Sequence, residues 1–124
     1  MALFEGYERK IEKINGVLAQ YGLNSVEECR DICTAKGFDP YEIVKSLQPI
    51  CFEDVAWAYC VGAAIAMKKG AFKAADAAEA IGIGLQAFCI PGSVAEDRKV
   101  GLGHGNLGAM LLLITIPSDC GNAI

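Results

Sequence analysis

Between residues 53 and 88 the chain is dominated by very small side chains, and this constrains the fold more than any other feature. Ala56, Ala58, Gly62, Ala63, Ala64 and Ala66 fall in one run, and Ala74, Ala75, Ala77, Ala78, Ala80, Gly82 and Gly84 in the next. Alanine has the strongest intrinsic helix preference. Lys69–Gly70 separates the two runs. The pattern predicts one helix over Glu53–Lys69 and another over residues 72–88. Helices lined with Ala and Gly can approach closely, so the two are expected to pack as an antiparallel hairpin. Asp76 and Glu79 lie three apart on the second of them. They read either as a polar strip facing water or as a carboxylate pair directed at a site.

The preceding residues supply three more helices. Leu3, Tyr7, Ile11, Ile14, Leu18 and Tyr21 recur at spacings of three and four, which predicts an amphipathic helix over residues 2–21, stopped by Gly22. Ser25-Val-Glu-Glu28 is a capping box opening a helix that runs to about Lys36, with Gly37 after it. Its inward stripe is Val26, Cys29, Ile32 and Cys33. Asp39-Pro40-Tyr-Glu42 opens a short third helix: Asp39 caps it, and Pro40 occupies the first turn, where a missing N–H costs nothing. Tyr41, Val44 and Leu47 are its inward residues. An apolar segment, residues 106–114, is expected as a last helix, and residues 114–116 form the sole strand candidate. The expectation is therefore all-α: a compact bundle of five to six helices in one domain over residues 1–124, with a glycine-rich loop before the last helix.

Composition narrows the function classes. Net charge is −4, with no basic stripe interleaved with aromatics, so nucleic-acid binding is not expected. The N-terminal residues carry charges where a signal peptide needs an apolar run, and no apolar run approaches the ~20 residues of a membrane span. The protein is expected in the cytoplasm, without a membrane partner. An apolar fraction of 53% beside 21% charged residues points to a filled core and to surface buried in a homo-oligomer, a dimer being the simplest.

Six cysteines are present, at positions 29, 33, 51, 60, 89 and 120. In a reducing compartment they are expected not as disulfides but as small buried hydrophobes or as ligands. Cys29 and Cys33, four apart on one helix face, suit either role. Cys33, Cys51 and Cys89 each fall near a helix end, and the hairpin would bring Cys51 and Cys89 to one side of the bundle. Three thiolates with one open position suit an iron–sulfur cluster. The wide spacing lacks a compact ferredoxin pattern, and a Cys₃His zinc set would need His104.

Residues 89–106 form the longest stretch that does not read as helix, CIPGSVAEDRKVGLGHGN. The glycines there lack the preceding strand of a dinucleotide fingerprint and the G-K-[ST] of a Walker loop. A looser anion nest remains, with the N–H groups of Gly101, Gly103 and Gly105 before a helix and Arg98 and Lys99 for charge, fitting a small anionic or phosphate-bearing ligand. His104, the sole histidine, is either an ordinary loop residue or a proton carrier, and is the one catalytic candidate.

QPICFEDVAWAY at residues 48–59, KKGAFKAADAAEAIGIGLQAFCIPGS at residues 68–93 and above all DRKVGLGHGNLGAMLL at residues 97–112 resemble the N-terminal part of the GGGtGRT protein family. The resemblance covers residues 3–112 or so. It implies an anaerobic bacterium with a reducing cytoplasm, and a longer architecture of which this chain is the N-terminal portion, truncated or frameshifted. The Gly-Gly-Gly-Thr-Gly-Arg-Thr signature is absent, and LITIPSDCGNAI from Leu113 departs from the family pattern. The family supplies no catalytic residues. The anaerobic setting favours an iron–sulfur cluster-binding protein, or the cluster-binding part of a redox or lyase-type enzyme. A non-catalytic helical oligomerisation module and an anion-binding protein are the alternatives.

Overall fold

A computed structural model describes residues 3–47, 53–70 and 74–90. These residues form five helices and no strand: α1 Tyr7–Gln20, α2 Val26–Ala35, α3 Pro40–Leu47, α4 Glu53–Lys69 and α5 Ala74–Ala87. The expected last helix and the strand candidate lie outside the described residues.

The centre of the bundle is α4. Every residue from Val55 to Ala66 is buried, so this helix has no solvent face along more than three turns. It packs against α2, α3 and α5, while α1 rests on α5. Pairing is closest between α4 and α5. A methyl group added at Gly62 would meet the Cα and Cδ1 of Ile81, both at 2.8 Å, and one added at Gly84 would lie 2.5 Å from the Ala58 carbonyl oxygen. Contacts that step from Gly62 back to Ala58 on α4 step from Ile81 forward to Gly84 on α5. The hairpin is therefore antiparallel, and glycine at both crossings lets the backbones touch. Gly70, at φ 64°, ends α4 as the chain turns. Asp76 and Glu79 are exposed, and Glu79 stands 3.8 Å from Lys69, also near the surface. The polar-strip reading of these carboxylates holds.

Local chemistry explains the outer helices. At α2, Ser25 Oγ accepts from the Glu28 N–H at 3.0 Å, and the Glu28 carboxylate reaches past the cap to the Asn24 N–H at 2.8 Å. Val26, Cys29 and Cys33 are its buried face. At α3, Asp39 Oδ1 accepts from the Tyr41 N–H at 3.1 Å. The first helix begins later than its periodicity predicts. Gly6 takes φ 84°, so residues 3–6 form a turn ahead of α1. Phe4 within that turn is buried against the core.

Candidate functional site

The start of α1 ties together the start of α4 and the end of α5. The Phe4 ring lies 5.6 Å from that of Phe88 and 5.2 Å from that of Tyr7. Lys10 bonds the Asp54 carboxylate at 3.3 Å and sits 5.9 Å over the Phe4 ring. A groove of about 500 Å3 lined by Phe4, Glu5, Arg9, Glu53 and Asp54 opens at this end. Cys89 directly follows Phe88, and Cys51 precedes Glu53 by two residues. The start of α4 and the end of α5 thus lie at one end of the bundle, and Cys51 lies outside the described residues.

Cys89 occupies an unusual backbone position. The Ile90 N–H donates to the Leu85 carbonyl at 2.9 Å and the Cys89 N–H to the Gln86 carbonyl at 3.0 Å, which is the Schellman arrangement with Cys89 as the left-handed residue. Helices α1 and α2 end with the same hydrogen-bond pattern, and there the left-handed residues are Gly22 and Gly37, at φ 69° and 90°. At φ 58°, Cys89 is the non-glycine exception among the described residues. Its side chain is exposed on the rim of a groove of about 600 Å3 between α1 and α5, with Lys13, Val17, Tyr21, Ile83 and Ile90 among its walls.

Cys33 is placed differently. It lies in the last turn of α2, fully buried. Cys33 and Cys89 both stand at the carbonyl ends of their helices, whereas the anion-favouring end of a helix is its N-terminus. Neither Cys33 nor Cys89 therefore gains thiolate stabilisation from a helix N-terminus. Burial pushes the Cys29 thiol up to about 12, with Glu28 adding to the effect. Burial also pushes Cys60 up to about 12, and Asp39 adds to it. Both are protonated core thiols. Among the described residues no group of three or more His, Cys, Asp or Glu side chains is arranged to hold a metal ion. The proposed anion-binding residues Arg98, Lys99, Gly101, Gly103 and Gly105, and the catalytic candidate His104, lie outside the described residues.

Sequence reasoning missed the strongest polar constellation. Arg30 on α2 donates from Nη2 to Asp39 Oδ2 at 2.7 Å and from Nε to Oδ1 at 3.1 Å. Glu42 stands 3.6 Å away. The guanidinium lies 4.4 Å over the Tyr41 ring and 5.4 Å from the Trp57 ring, and the two rings meet at 5.2 Å. Burial raises the Tyr41 hydroxyl above its ordinary range, and Glu53 reinforces the shift. This cluster joins α2, α3 and α4. All of the charge on Arg30 is already met by carboxylates, so the arrangement clamps helices together. The one sequence signal was Asp39, read only as a cap.

Among the described residues no helix is long and apolar enough to cross a membrane. The family profile described as GGGtGRT protein matches residues 4–117, beyond the point at which the quoted motifs stop. The chain belongs to the GGGtGRT family. No curated protein and no solved structure matches it.

Proposed function

We propose that this GGGtGRT family member binds an iron–sulfur cluster at the end of the bundle where α4 begins and α5 ends, with Cys51 and Cys89 as principal ligands and Cys33 as the third. The observation that carries the reading is the antiparallel hairpin, held by the Phe4–Phe88 and Lys10–Asp54 contacts, which returns Cys89 to the end from which α4 departs. Cys89 suits the role through its exposed thiol. Cys33 fits least well, because its side chain is fully buried. Cys29 and Cys60 serve as core. A bound cluster supplies an electron-transfer centre or a Lewis-acidic iron. Among the described residues Cys29, Cys33, Cys60 and Cys89 form no disulfide, which suits the reducing cytoplasm of an anaerobe.

The test is anaerobic reconstitution with iron and sulfide, followed by metal and sulfide analysis and visible absorbance. Cys51→Ser and Cys89→Ser are expected to lose the cluster and Cys60→Ser to keep it. Cys33→Ser separates ligation from packing: retained iron with lowered stability removes Cys33 from the ligand set. Absence of iron and sulfide from the reconstituted wild-type protein overturns the proposal.

A second reading is a helical assembly module acting as a homodimer. Val17, Ile32, Ile43 and Ile83 are only partly buried, on four different helices or their flanks, leaving apolar area for a partner copy. Sedimentation at micromolar concentration tests it, and a clean 13.1 kDa species rules it out.

A further inference from the structure

We draw no further inference here: the strongest candidate, the groove of about 600 Å3 between α1 and α5 with Cys89 on its rim, rests on a lone cysteine and on a partly apolar surface for which nothing in the structure shows an occupant.

Discussion

Gly84 on α5 lies so close to Gly62 on α4 that a methyl group on Gly84 would sit 2.9 Å from the Gly62 amide nitrogen and 3.1 Å from its Cα. Both atoms are backbone and cannot rotate aside. Replacing glycine by alanine inside a helix normally gains up to about 1 kcal/mol. Overpacking costs about 1–3 kcal/mol and more where backbone must move. Gly84→Ala is therefore expected to destabilise the protein by roughly 2 kcal/mol. Gly16→Ala is the control, because Gly16 is helical and exposed, with nothing within 4 Å of the added methyl. That substitution is expected to stabilise by about 0.5–1 kcal/mol. Urea denaturation of the two variants decides the matter, and a stabilised Gly84→Ala protein would show that α4 and α5 do not touch at their glycines.

Cys89 gives a second stability test. A side chain in the left-handed region costs about 1–2 kcal/mol that glycine avoids. Cys89→Gly is expected to raise the denaturation midpoint, as Gly22 and Gly37 already serve α1 and α2. Cys89→Ala keeps the backbone penalty and is not expected to do so. Exposure also orders reactivity. In native protein a thiol reagent is expected to modify Cys89 well before Cys29, Cys33 and Cys60, which are fully buried. Peptide mapping after a short labelling pulse reads this directly. Early labelling of Cys33 would place its thiol at the surface.

The parts of the fold legible in the sequence were those written in local chemistry. Ser25 with Glu28, and Asp39 with Pro40, announce α2 and α3, because caps act within one turn. The α4–α5 hairpin followed from Ala and Gly content, although periodicity could not reveal that Val55–Ala66 is buried on every side. A helix without a polar face has no stripe to read. The apolar spacing of Leu3 and Tyr7 continues through a turn set by Gly6, so the spacing alone does not mark where α1 starts. The site was less legible than the fold. Arg30 and Asp39 are nine residues apart on different helices, and their pairing arises from how α2 and α3 meet. Cys89 reads as a residue just past a helix, and its left-handed backbone has no signature in the sequence.

Alkaline pH probes the buried thiols. Cys29 and Cys60 are pushed from 9.0 up to about 12, so the folded state holds protons that the unfolded chain releases. The stabilising contribution of each neutral thiol is fully present below pH 9.0 and is lost as pH rises toward about 12. Within that window each thiol steepens the fall in stability by at most about 1.4 kcal/mol per pH unit. The Tyr7 and Tyr41 hydroxyls, raised chiefly by burial, act in the same direction. Cys29→Ala with Cys60→Ala is expected to flatten the decline, leaving the tyrosine contribution. An unchanged slope between pH 9.0 and 11 or so would mean that neither thiol is protected from ionisation in the fold.

Asp39 performs two tasks that substitution can separate. It caps α3 through the Tyr41 N–H, and it holds Arg30 with both carboxylate oxygens. Asparagine caps a helix about as well as aspartate, so Asp39→Asn removes the charge on the pair and leaves the cap. Asp39→Ala removes both, and is expected to cost about 1 kcal/mol more than Asp39→Asn. On the other side of the contact, the planar guanidinium of Arg30 makes two parallel hydrogen bonds while stacking on Tyr41 and nearing Trp57. An ammonium group offers neither the fork nor the flat face. Arg30→Lys therefore keeps the charge and still loses roughly 1 kcal/mol, the scale of a partly exposed cation–π contact. The side chains of the pair are 28% and 24% exposed, which keeps the ionic part of the loss modest and sensitive to salt. Denaturation of Arg30→Lys, Asp39→Asn and the double variant, at low and high salt, gives the coupling. A coupling near zero, with Arg30→Lys as stable as the wild type, would mean that α2, α3 and α4 are held by their apolar faces alone.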